Sequence, residues 1–172
     1  MKAKIYDWAK ILNQANFSIG DFSQIDDFVF LNAGEETKIG RFVHISSFCS
    51  VIGGGKFYMD DFSGFSAGCR VITGSDDFTN GFLTNPTVPA EYTHVKRSTV
   101  HIGKHAIIGT NVIIFPGVTI GEGAAVGAGC IVRKSLEPWT VYVGQDCKPL
   151  KSRDEKSVHA LEAKLKHDMG LD

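Results

Sequence analysis

Apolar residues recur along this chain every six positions. From residue 102 onward, six consecutive hexads open on Ile102, Ile108, Ile114, Ile120, Val126 and Val132. A period of six is neither the 2 of a flat strand nor the 3.6 of a helix. The same frame reads back through Ile19, Ile25 and Leu31, then Ile39, Ile45 and Val51, then Met59, Phe65 and Val71, so all fifteen lead positions are apolar. The fifth places are mostly small, among them Ser23, Val43, Cys49, Cys69, Ala106, Val112, Ala124 and Cys130.

One hexad reads as a short strand plus a turn, and three hexads close a triangular coil of about 18 residues. A large branched residue fills the middle of each wall and a small one fits each corner. Coils stack as parallel strands ~4.8 Å apart. Glycine at the second place (Gly20, Gly40, Gly103, Gly109, Gly121, Gly127) suits a corner where a side chain would crowd. Equivalent wall positions are Ile19, Ile39, Met59, Ile102 and Ile120, at spacings of 20, 20, 43 and 18 residues. Two coils therefore carry two-residue bulges, near 35–38 and 53–56. A third carries an insertion of about 25 residues, roughly 74–99, and all leave by one corner.

The ends read differently. Ile5, Trp8, Ile11 and Leu12 share a helical face and predict a short helix over 3–14, a plug within a cap of residues 1–16. Val158, Leu161, Leu165 and Met169 predict a second helix at about 153–169, capped by Ser152 or Asp154 and ended by Gly170. The fold class is all-β: a parallel β-helix of about five coils over 17–151, flanked by a helical cap and a C-terminal helical segment, 152–172.

Composition narrows the functions. Net charge is −1, which argues against a nucleic-acid binder. No apolar run reaches the ~18–20 residues of a membrane span, and no apolar stretch follows the first basic residues, so a cytoplasmic place with no stable membrane insertion is expected. The four cysteines include no Cys-x-x-Cys pair, so neither a disulfide framework nor a structural zinc site is expected. Cys49, Cys69 and Cys130 fall on one wall, as small inward fillers.

Phe115-Pro116-Gly117-Val118-Thr119-Ile120-Gly121 and Val126-Gly127-Ala128-Gly129-Cys130-Ile131-Val132-Arg133-Lys134 resemble the hexapeptide-repeat acyltransferases, and within them the sugar O-acetyltransferases of the galactoside acetyltransferase type. Thr73-Gly74-Ser75-Asp76-Asp77-Phe78 and Leu83-Thr84-Asn85-Pro86-Thr87-Val88-Pro89 are similar to acetyltransferases of bacterial surface-polysaccharide clusters. The resemblance covers about residues 17–151. It implies a left-handed β-helix, a homotrimer, and acetyl-CoA as the acyl donor to a sugar hydroxyl or amine, with the sugar nucleotide-linked or bound for surface polysaccharide.

It also implies a site. The Thr110 and Ala128 backbones would hold the pantetheine arm, Arg133 and Lys134 would flank it, and Lys148 and Lys151 would meet the nucleotide phosphates. Residues 133–153 carry a net +3, which suits an anionic cofactor. The 74–99 loop would wall the acceptor pocket, with Asn85, Tyr92 and His94 as binding candidates. Ser46 would line that pocket from a neighbouring subunit. The family's catalytic histidine falls here on Ser75 or Asp76, so another base is needed. His44 is the candidate base, oriented by Asp76 or Asp77 of the adjacent chain. Gly144-Gln145-Asp146-Cys147 stands where the family often has Gly-x-Pro.

His101 and His105 have a His-x3-His spacing, whereas γ-class carbonic anhydrases, which use the same prism, need His-x4-His and a third histidine upstream. No metal is expected. A zinc lyase of that class and a non-catalytic β-helix scaffold are the alternatives.

Overall fold

A computed structural model describes residues 1–171. Three parallel sheets form the walls of one prism. The first contains Lys4–Ile5, Gln24–Ile25, His44–Ile45, Gly64–Phe65, Ile107–Ile108, Ala125–Val126 and Thr140–Val143 as successive parallel rungs. The second stacks Lys10–Leu12, Phe30–Asn32, Ser50–Ile52, Arg70–Ile72, Ile113–Ile114 and Ile131–Val132. The third stacks Phe17–Ile19, Glu36–Ile39, Lys56–Met59, Thr99–Ile102 and Thr119–Ile120. On that third wall Ile19, Ile39, Met59, Ile102 and Ile120 are register partners, the column read from the hexads.

The core is this axial column and its two counterparts. Ile25, Leu31, Ile45, Ile102, Ile108, Ile114 and Ile120 are all fully buried. The coils read from the hexads gain a further rung at each end, giving about seven turns. At one end, residues 3–14 are not the expected helix. They lay down Lys4–Ile5 and Lys10–Leu12, and the first helical turn is only a 3-10 turn at Gln14–Asn16. Ile5 pairs with Ile25 and Ile11 with Leu31, so these residues extend the six-residue frame backwards. At the other end Lys148–Ser152 turns back antiparallel on Thr140–Val143.

The second-position glycines are selected by crowding. A Cβ on Gly103 would sit 2.7 Å from Glu122 N, and one on Gly109 2.6 Å from Ala128 N. Left-handed backbone falls instead at the fourth place of the hexad: Phe22, Phe28, Phe42, Phe48, Phe62, His105 and Asn111 all have positive φ. Such a φ costs ~1–2 kcal/mol for a residue with a Cβ. Ring stacking offsets part of it, ~0.5–1.5 kcal/mol per pair. Phe22, Phe42 and Phe62 stack in turn with 4.7 Å between centroids, and His105 continues the pile on Phe62 at 5.2 Å.

The C-terminal helix runs Glu155–Met169, close to expectation. Asp154 caps it by accepting from Ser157 N, and Gly170 ends it in the left-handed conformation. Among the described residues, no helix is long and apolar enough to cross a membrane.

Candidate functional site

The long insertion is an ordered arm. Gly74–Asp76 pairs antiparallel with Val95–Arg97, and Leu83 bridges Thr93 farther out. Asp77 is its internal staple. One carboxylate oxygen accepts from Thr79 N, Thr79 Oγ1, Asn80 N and Asn80 Nδ2. The other accepts from Asn80 Nδ2 at 2.8 Å and from Lys96 Nζ at 3.0 Å. The Asn80 amide, then the Lys96 ammonium, hold this carboxyl well below the ordinary aspartate range. Asp77 was expected beside His44 of another chain. Within this chain its oxygens are engaged by Thr79, Asn80 and Lys96 of the arm.

The folded-state pKa of Asp77 is depressed, so its contribution is complete above the unfolded value near 4 and is lost as pH falls through the folded one. Asp77→Ala is expected to loosen the arm while the prism stays folded. Limited proteolysis should then cut within residues 78–93 at least ten times faster than in the parent protein, with the main thermal transition almost unmoved.

At the base of the arm lies a cavity of about 590 Å³. Asn32 and Ile52 line it from the prism; Asp76, Asn85, Val88 and Arg97 line it from the arm. Asp76 Oδ2 accepts from Asn85 N at 3.2 Å, while Oδ1 is buried without a hydrogen-bond partner. A buried carboxylate oxygen left unpaired costs ~1–3 kcal/mol or more. Asn85 orders the arm as well, its Oδ1 accepting from Thr87 N and Oγ1. Tyr92 and His94 do not line this cavity: Tyr92 is exposed, and His94 stacks on Phe82 at 5.0 Å.

His44 stands on a different corner, half-exposed, with Nε2 2.9 Å from Asp26 Oδ2. Asp26 Oδ1 in turn accepts from Gln24 Nε2 at 2.7 Å. The carboxylate beside His44 in the structure is thus that of Asp26, from the neighbouring coil of the same chain. Sequence reading missed Asp26 because it lies 18 residues away. The register partner of His44 in that coil is Gln24, 20 residues back, and Asp26 lies two residues past it. Ser46 lies two residues beyond His44 in the same coil, its N–H bonded to Phe65 O.

The predicted donor residues lie over the last coils. Thr110 and Ala128 are exposed at one corner in successive coils, and Gly129 N donates to Thr110 O at 2.8 Å. Arg133 and Lys134 line a second cavity of about 410 Å³ with Tyr142 and Asp146, and Arg133 lies over the Phe115 ring. Lys148 and Lys151 are exposed on the antiparallel final strand. Arg153 leaves this basic set, since its guanidinium donates to His105 O and Gly123 O. The Gly144–Cys147 segment closes a turn through Cys147 N and Gly144 O, and Gln145 O accepts from Ile131 N.

His101 and His105 do not converge. His101 Nε2 meets Asp60 at 2.9 Å and His105 Nε2 meets Glu162 at 2.7 Å, on separate parts of the surface. The four thiols are buried, and burial pushes Cys147 up to about 12. They are fillers rather than nucleophiles.

Comparison with known proteins adds the following. A family model described as a hexapeptide repeat of succinyl-transferase matches residues 99–134. A dTDP-4-amino-4,6-dideoxy-D-glucose acyltransferase of Escherichia coli is 39% identical over 154 residues, which cover 89% of this chain and 80% of that protein. AntD, an N-acyltransferase from Bacillus cereus solved with dTDP and 3-hydroxybutyryl-CoA, superposes with a TM-score of 0.89 at 39% identity, over 96% of this chain and 87% of that one. A maltose O-acetyltransferase from Clostridium difficile superposes with a TM-score of 0.68 at 25% identity, over 80% and 70% of the two chains.

Proposed function

Because this chain belongs to the hexapeptide-repeat sugar acyltransferases, we propose that it transfers an acetyl group from acetyl-CoA to the 4-amino group of a dTDP-linked 4-amino-4,6-dideoxyhexose. The observation that carries the amine reading is the carboxylate residue Asp76 in the lining of the arm cavity. A carboxylate there accepts from an ammonium or amine N–H, and its negative charge favours a cationic acceptor. The greater identity to amino-sugar acyltransferases than to the maltose enzyme supports nitrogen over oxygen.

In this reading the protein acts as a homotrimer in the cytoplasm, where its donor is made, and its product is a building block for surface glycans. The His44 corner of one subunit meets the arm cavity of the next. The neutral amine attacks the thioester carbonyl while His44, which Asp26 orients, takes the proton its nitrogen sheds and passes it to the departing sulfur. A new C–N bond forms, the carbonyl oxygen takes the negative charge, and the Thr110 N–H stabilises it. Gly109 N–H is already used on Val126 O. Collapse then breaks the C–S bond and releases coenzyme A as the thiol. Arg133 and Lys134 flank the pantetheine arm, and Lys148 and Lys151 bind its phosphates.

The test is thiol release and product mass with acetyl-CoA or 3-hydroxybutyryl-CoA as donor, and dTDP-4-amino-4,6-dideoxyglucose or maltose as acceptor. A sugar nucleotide heavier by one acetyl group is expected. Transfer only to maltose overturns the amine reading, preference for the longer donor overturns acetyl, and binding without transfer leaves a scaffold. Replacing Lys148 and Lys151 together by alanine should weaken acetyl-CoA binding about tenfold or more, as two charge-assisted phosphate contacts imply. Calorimetry with acetyl-CoA and its 3′-dephospho form checks this, since the dephospho form should lose less.

A further inference from the structure

The second-corner aromatic pile ends in a histidine. Phe22, Phe42 and Phe62 hold equivalent corner positions, and the next coil places His105 there, nine-tenths buried and left-handed. That is the coil on which the C-terminal helix docks. His105 Nε2 lies 2.7 Å from Glu162 of the helix. One ligand atom from each of His105, Glu122 and His159 falls within 4.8 Å of the other two. These come from three separate elements: one coil, the next coil, and the helix.

We propose that His105, Glu122 and His159 form a zinc(II)-class divalent metal site that clamps the C-terminal helix to the prism. Two imidazoles and a carboxylate are a donor set zinc takes readily, with each ligand ~2.0–2.2 Å from the ion. Ligands of one tetrahedral ion stand ~3.5 Å apart, so closure needs shifts of only about 1 Å. Glu162 supplies the supporting carboxylate. It lies 2.7 Å from His105 Nε2, and a carboxylate beside one ring nitrogen is the pairing that metal-bound histidines commonly carry.

Glu155 lies beside the set, near His159 alone. It is four residues before His159 on the helix, and its Oε1 lies 3.6 Å from His159 Nε2, as Glu122 Oε1 does at 3.9 Å. Residues four apart share a helix face and can chelate one ion.

The surrounding cations are held by Glu162 and by backbone carbonyls. Lys104 and Lys166 each lie 2.6 Å from Glu162, and Arg153 donates to backbone carbonyls. Glu122 and Glu155 thus keep their charge toward His159. Trp139 walls the site, with its ring 6.1 Å from His105 and 5.1 Å from His159.

The test uses the untagged full chain and two ions, cobalt(II) and zinc(II), with a Trp8→Phe background that leaves Trp139 as the fluorescent reporter. One cobalt per chain should bind, give the strong visible absorption of a four-coordinate site, quench Trp139, and be displaced by zinc. Zinc at a hundredfold excess over its Kd should raise Tm by about 5–10 °C. Glu122→Gln and His159→Ala change half-exposed side chains and should fold. Each should lose the visible band, the quenching and the zinc-dependent shift. Sub-stoichiometric binding, an octahedral cobalt spectrum, or identical behaviour of both variants and the parent would overturn the site.

Discussion

His44→Ala is expected to lower turnover by about 10²–10⁴-fold while acetyl-CoA affinity stays unchanged. The magnitude follows from the chemistry. An amino sugar near neutral pH is largely an ammonium, which loses one proton to solvent to become nucleophilic and a second, to the base, as the neutral amide forms. A positioned base contributes about that factor, whereas His44 makes no contact with the donor residues over the last coils. The side chain is half-exposed and its one ion pair is with Asp26, so the fold should survive. Steady-state kinetics with calorimetry of acetyl-CoA separates the two quantities. Asp26→Asn should cost less, about tenfold, because it misorients the ring without removing it. Asp76→Asn should chiefly raise the KM for the amino sugar. Near-normal turnover in His44→Ala would remove this residue from the mechanism.

Gly53→Ala is expected to lose about 3–5 kcal/mol of stability. Two costs combine. Gly53 has φ +104°, a conformation that L residues rarely adopt, and a Cβ there would overlap Gly74 N and lie 2.6 Å from Gly74 O. These are backbone atoms at the root of the arm, and they cannot swing aside. Gly129→Ala is the control, with φ +71° and nothing within 4 Å of the new methyl. It carries strain alone and should lose about 1 kcal/mol. Urea titration of the two variants distinguishes clash from strain, and equal losses would refute the packing argument.

Much of the prism was legible because its core demands one apolar residue per wall at a fixed interval. Ile108 and Ile114 cannot slip without emptying the axis. The N-terminal segment misled because Ile5, Trp8, Ile11 and Leu12 satisfy a helical face as well as a six-residue step. Propensity over so short a stretch decides little, and pairing of Ile5 with Ile25 won. The left-handed fourth place went unread because phenylalanine is not a residue one expects at positive φ. It is tolerated where rings stack, as Phe42 does between Phe22 and Phe62.

The site was harder to read. Asp77 and Asp76 are adjacent in sequence, yet one saturates its oxygens within the arm and the other leaves one unpaired. Only the path of residues 78–93 separates them. The repeat places Gln24 opposite His44 one coil back, and Asp26 lies two residues beyond that partner, so the contact turns on side-chain reach rather than on register.

The acceptor arm leaves the fourth coil, and the basic groups sit on the sixth and beyond. Their separation along the axis is therefore quantised in steps of one inter-strand distance, ~4.8 Å. Point substitutions can change what lines the two ends but cannot change the gauge between them. Longer or shorter reach requires gaining or losing an entire three-hexad layer, so the molecule is a ruler with fixed graduations.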